Sequence, residues 1–121
     1  MSNTQSICKN FRPDLLNGLH AFGTSVVRAG TGADTFKMAL FLATATINAD
    51  TATYSSTGEL AATGNYTAGG VAVTNGNAPS TTGGTGIVAF WTPSASVSWT
   101  NLTSSGAFDA CLLYNSTQGN K

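Results

Sequence analysis

One glycine-rich stretch, one histidine and five scattered acids are where this chain could do chemistry. Residues 64 to 75 read GNYTAGGVAVTN, and Gly64 and Gly69 have the spacing of a phosphate-binding loop. Such a loop needs a lysine against the phosphate charge and a hydroxyl for magnesium directly after the second glycine. Gly70 and Val71 stand there instead. Val71, Val73 and the β-branched Thr74 then alternate as in a strand, so the stretch predicts a turn feeding a strand. His20, the only histidine, would have to organise any hydrolytic triad, yet it sits in a helical pattern far from any nucleophile motif. The reading that fits is a histidine in the last turn of a helix, where a positive group meets the dipole favourably. Asp14, Asp34, Asp50, Glu59 and Asp109 show no local pairing of the kind a glycosidase uses. Only Asp109, in an otherwise apolar strand, stands out; it either faces solvent or pairs with a basic group such as Lys37 or with a partner subunit.

Cys8 and Cys111 are too few and too far apart to frame a disulfide scaffold or a zinc site. Cys111 lies in an apolar run, which predicts a buried thiol. Trp91, Trp99, Tyr54, Tyr66 and Phe90 could make a sugar-stacking platform, but aromatics in strands usually fill a core. Asn65, Asn101 and Asn115 each open a glycosylation triplet, and in a chain this rich in Asn and Thr such triplets arise by chance. No metal cluster, cofactor motif or catalytic group is expected, and the chain reads as a non-enzyme.

The elements that must position these residues begin with a predicted helix over Arg12 to Phe22. Pro13 suits its first position, Asp14 its positive end and Gly23 its close; Phe11, Leu15, Leu19 and Phe22 recur at helical spacing. Gly18 weakens it by about 1 kcal/mol relative to alanine, so it needs a surface to pack on. The period then shortens. Phe36 to Leu42 predicts a strand mostly buried on both faces, and Val71 to Thr74, Ile87 to Trp91, Val97 to Asn101 and Phe108 to Tyr114 predict others. Ala43 to Gly70 reads as a long loop anchored by Tyr54 and Tyr66, with a short strand around Glu59 to Ala62. Asn75-Gly76, Ser80 to Gly86 and Pro93 are turn chemistry. The expected fold is mainly β, an antiparallel β-sandwich or small barrel with one N-terminal α-helix. Residues 1–11 read as an arm and 12–121 as a single domain.

Composition narrows the function. The 121 residues carry five basic and five acidic groups, and none lies between Glu59 and Asp109. Half of the chain is Ala, Gly, Ser or Thr. Zero net charge gives no field to attract nucleic acid or an anionic membrane, and little repulsion to oppose association with a neutral partner. The N-terminus lacks the apolar segment of a secretory signal, and no run approaches a membrane span, so synthesis in the cytoplasm is expected. A secreted β-protein with a hydroxyl-rich exterior is the alternative.

The order ADTFKMALF, TATYSSTGEL, NYTAGGVAVTN, SVSWTN and ACLLYNSTQGNK resembles a family of small virion proteins of tailed bacteriophages. The family pattern looks like DTFK-x-ALY, a tract ending T-x-Y-x-x-x-x-E, G-Y-T-A-G-G, a W-T strand and L-I-Y-N-S. Phe41 replaces a usual tyrosine, Asn65 interrupts the Gly-Tyr step, and relatives continue past the Asn-Ser segment into further strands. An edge left without that neighbour would need covering, and another subunit could cover it. The resemblance implies a virion structural protein, first a capsid decoration or cement protein that bridges capsid subunits, or else a tail or head-to-tail component. A carbohydrate-binding module or adhesin is the reading from another class, and a hydrolase comes last. Phage capsid protein or other virion subunits, and further copies of the chain, are the expected partners. Phe11, Leu15, Leu19, Phe22, Tyr66, Gly69 and Gly70 are the expected contact residues.

Overall fold

A computed structural model of the chain describes residues 3–16, 18–22, 33–77, 79, 90–104 and 106–121. Strands dominate it. The alternating run after Thr35 forms the central strand β1 (Phe36–Leu42), flanked by β2 (Val71–Val73) and β3 (Phe108–Asn115) in an open antiparallel sheet of order β2-β1-β3. The pairing sets Met38 opposite Val71 on one side and opposite Leu113 on the other.

Beyond Met38, β2 has ended and another segment takes over its side of β1. Leu42 N–H donates to Gly58 C=O (2.9 Å), Leu60 N–H donates to Leu40 C=O (2.9 Å), and Phe41 bridges Glu59. The strand expected around Glu59 to Ala62 is thus reduced to one isolated bridge. Leu40 N–H has no backbone neighbour there, and the Tyr66 hydroxyl accepts it instead at 3.0 Å. Buried donors are rarely left unmatched, and here a side chain replaces a strand.

Both faces of β1 are covered, as its composition predicted. Ala39 and Phe41 pack with Ala45, Leu112 and Tyr114 on one side, and Leu40 packs with Leu60 and Tyr66 on the other. Trp99 and Leu102 close the second cluster from the segment after Pro93. At the chain's start, Thr4 N–H donates to Ile47 C=O and Lys9 N–H to Ala49 C=O, so the arm lies along the loop that follows β1.

The helix expected over 12–22 is not formed. Among the described residues helical backbone is confined to the six residues of α1 (Phe11–Leu16). Gly18 ends it: its φ is +69°, Gly18 N–H donates to Leu15 C=O (3.0 Å), and Leu19 N–H reaches back to Asp14 C=O (2.9 Å). Those two bonds are the Schellman closure of a helix by a left-handed glycine. His20 therefore lies past the helix rather than in its last turn, with its ring stacked on Phe11 at 5.1 Å. Gly23, expected to close the helix, lies outside the described residues.

Val97 to Asn101 is also no strand, although Val97 and Trp99 alternate. The Asn65 amide brackets it: Nδ2 donates to Ser98 C=O (3.2 Å) and Oδ1 accepts from Thr100 N–H (2.7 Å), and Asn101 turns away at a φ of +55°. An amide side chain supplies what a neighbouring strand would otherwise give. The predicted strand from Ile87 lies outside the described residues except for Phe90 and Trp91, as does the turn from Ser80 to Gly86.

Candidate subunit-contact surface and the network behind it

Glu59 is the hub of the interior polar network. Its Oε1 accepts from the Tyr66 hydroxyl (2.5 Å) and from Gly69 N–H (2.7 Å), and its Oε2 accepts from the Tyr54 hydroxyl (2.6 Å). Tyr114 donates to Gly69 C=O and stacks on Tyr54, with 4.5 Å between ring centroids and 13° between planes. One carboxylate and one glycine therefore tie together the loop after β1, the turn before β2 and the end of β3. Desolvation, then the hydrogen bond and charge of Glu59, pushes the Tyr54 hydroxyl up to about 12. The same causes raise Tyr66, with the Leu40 N–H pulling slightly the other way; burial and then Glu59 raise Tyr114. All three favour the neutral phenol as a donor.

The second polar joint sits where β1 begins and β3 ends. Asp34 and Asn115 are both buried, and the Asn115 amide donates to Asp34 Oδ2 at 2.8 Å. Ala21 N–H donates to the same oxygen (2.7 Å), and Gln118 to Oδ1 (3.2 Å). Ser116 follows with N–H and hydroxyl both on Thr35 C=O at 2.9 Å. Each residue of the Tyr114-Asn115-Ser116 run thus closes a different long-range contact.

Gly69 and Gly70, the residues that raised the phosphate question, have separate tasks. Both are left-handed, with φ of +91° and +81°. Gly69 offers its N–H and C=O to Glu59 and Tyr114, whereas Gly70 lies hard against β1: a Cβ added there would stand 2.7 Å from Met38 O. Around Gly69 a Cβ would meet nothing within 4 Å. Gly69→Ala should therefore cost only the backbone strain, about 1–2 kcal/mol. Gly70→Ala adds a clash with a central strand and should cost about 3 kcal/mol or more. Urea unfolding of the two variants checks the difference, and equal costs would refute this account of Gly70.

The expected contact residues divide into interior and surface. Tyr66 and Gly70 belong to the interior, and Gly69 is half-buried. Phe11 and Phe22 meet edge to face at 6.4 Å, and Phe22 stacks on Phe36 (4.6 Å) beside Trp91 (5.0 Å). Leu19 is half-buried and Leu15 exposed. The aromatic side chains considered as one sugar platform are divided among separate clusters: Tyr54 on Tyr114, Tyr66 and Trp99 around Leu40, and Trp91 on Phe22 and Phe36.

Other exposed apolar groups were not anticipated. Ile7 of the arm is 63% exposed, and Phe108 and Leu113 of β3 are 41% and 42% exposed. Cys111 is exposed too, which corrects the buried thiol expected from its apolar neighbours. Along β3 the residues of the other phase, Leu112 and Tyr114, face the core, and Cys111 points away with Leu113. Cys8 is half-buried, with its thiol raised chiefly by burial, and neither cysteine is bonded to the other. Asp109 is exposed and its carboxylate accepts from the Asn3 amide at 2.5 Å.

A cleft of about 750 Å³ runs between the arm (3–8) and β3 (109–115), with Ile47, Tyr54 and Phe11 in its walls. Lys121 and Asp14 lie 3.8 Å apart at one end. Among the described residues no group of His, Cys, Asp and Glu could hold a metal ion, and no helix is long and apolar enough to cross a membrane. Compared with models of known families, with curated proteins and with solved structures, the chain finds no match.

Proposed function

We propose that this chain is a structural component of a tailed-phage particle, a capsid decoration or cement protein that bridges capsid subunits. The observation that carries this reading is where the resemblance falls. Tyr54 and Glu59 of the T-x-Y-x-x-x-x-E tract, Tyr66 and Gly69 of Y-T-A-G-G, and Tyr114, Asn115 and Ser116 of the closing run are far apart in sequence. They meet in the two networks that close the fold. A likeness of composition alone would not select interacting residues.

The surface fits the same role. No charged residue occurs from 60 to 108, so contacts there rest on hydroxyls, amides, backbone and apolar side chains, which can be buried without desolvating ions. Cementing of this kind works by adding buried contact area between shell subunits.

Quantitative mass spectrometry of purified particles tests the proposal. A copy number comparable with that of the capsid protein is expected. A count in the range of tail proteins would replace it with the tail or head-to-tail reading, and absence from particles would overturn both. Ile7→Ser should weaken binding to shells while leaving the melting temperature unchanged, because Ile7 is mostly exposed. Unchanged shell binding would remove the arm from the contact.

A further inference from the structure

The outer side of β3 is an open sheet edge whose geometry specifies what can pair with it. Ser116 N–H donates inward to Thr35 C=O, and Asn115 N–H donates outward to Lys121 C=O. Backbone groups alternate in direction along an antiparallel strand. Those of Leu112 and Tyr114 therefore serve β1, and those of Cys111 and Leu113 point away from it. Among the described residues nothing bonds them.

The free stretch has defined ends. Lys121 C=O occupies the outward N–H of Asn115, and the ladder shifts register between Phe41 and Leu42, opposite Ala110 and Phe108. Residues 109–113 remain, centred on Cys111.

We propose that two copies of the chain associate about a two-fold axis through this edge, β3 pairing antiparallel with β3 of the second copy and Cys111 facing Cys111. An antiparallel edge is its own complement under a two-fold, so the same five residues serve both sides. Chemistry selects a second copy as the occupant. The edge carries no Lys, Arg or Pro, the devices that usually keep sheet edges apart. Its one acid, Asp109, accepts from Asn3 and keeps its charge, but the two-fold sets it opposite Leu113 of the second copy rather than opposite its own counterpart. Leu113 and Phe108 gain cover in the same step. The dimer stands or falls independently of any place in a virion.

The register supplies its own test. Opposed residues that exchange both hydrogen bonds have Cα atoms about 5.5 Å apart and side chains on the same face of the sheet, so a short bismaleimide can span the two thiols. The experiment uses the full chain carrying Cys8→Ser, sized by light scattering and then treated with a short bismaleimide, each end of which adds one thiol S–H across its double bond. A dimer mass at micromolar concentration and near-complete crosslinking through Cys111 are expected. Adding Leu113→Lys, at an exposed position, should give a monomer with an unchanged circular dichroism spectrum and no crosslink. A monomeric Cys8→Ser chain would overturn the pairing, and so would a dimer that the bismaleimide does not crosslink or that survives Leu113→Lys. Absence of the protein from particles would instead sink the virion reading and leave the dimer untouched.

Discussion

On titration from neutral toward alkaline pH, the protein should show almost no tyrosinate absorbance until it unfolds. The chain has three tyrosines, and all of them, Tyr54, Tyr66 and Tyr114, belong to the network around Glu59 and Gly69. In an unfolded chain a tyrosine loses its proton near pH ~10. In the fold Tyr54 holds it to about 12, and Tyr66 and Tyr114 are raised as well, chiefly by burial. A folded-state value above the unfolded one means that the neutral phenol is what the fold stabilises. This contribution is complete below pH ~10 and is lost as pH rises through about 12. Across that window the unfolded state releases protons that the folded state retains. Stability should fall by up to about 1.4 kcal/mol per pH unit for each tyrosine, less for the partly exposed Tyr54. Absorbance and circular dichroism should therefore change together between pH ~10 and 12. Ionisation near pH ~10 with the dichroism intact would show that the hydroxyls are free.

The strands were legible because their side chains obey a simple alternation. Phe36–Leu42 was readable as a strand buried on both faces, and β2 and β3 were found within a residue of their ends. What the alternation did not reveal was a change of phase. Phe108, Ala110, Leu112 and Tyr114 read as one inward face, but the register shift opposite Phe41 and Leu42 leaves Phe108 in solvent. The exposure of Cys111 was readable in the same pattern, since it stands in the opposite phase to Leu112 and Tyr114; its apolar neighbours obscured it.

Other departures came from side chains that substitute for backbone. Arg12 to Phe22 has an apolar stripe at helical spacing, yet the left-handed Gly18 closes the helix after Leu16, and the remaining apolar residues pack as an irregular segment. Val97 to Asn101 alternates like a strand, yet the Asn65 amide satisfies Ser98 and Thr100. Glu59 looked like one more scattered acid, because the tyrosines and glycine that need it come from different parts of the chain. Its five-residue spacing from Tyr54 in the phage-like tract was the only local signal.

Glu59→Leu should be strongly destabilising. It leaves Tyr66 O–H and Gly69 N–H without their acceptor and removes the partner of Tyr54. Each buried donor left unmatched costs about 1–3 kcal/mol, and Tyr54, being partly exposed, can turn to water. A loss of about 4 kcal/mol is expected, a large part of the ~5–15 kcal/mol that holds a domain of this size. The melting temperature should fall by roughly 10–15 °C. Glu59→Gln keeps the shape and one acceptor oxygen, and its amide can donate to a phenol oxygen, so it should cost only about 1–2 kcal/mol. Tyr66→Phe removes the acceptor of Leu40 N–H together with one donor to Glu59 and should cost about as much. The two mild changes share a partner, so their combination should cost less than their sum. Thermal unfolding of the four variants measures all of this. Strict additivity would show that the two residues act separately, and a Glu59→Leu protein that melts like the parent would refute the carboxylate's place at the hub. The strand β1 has no backbone neighbour at Leu40 N–H, and Tyr66, whose hydroxyl donates in turn to Glu59, fills that position.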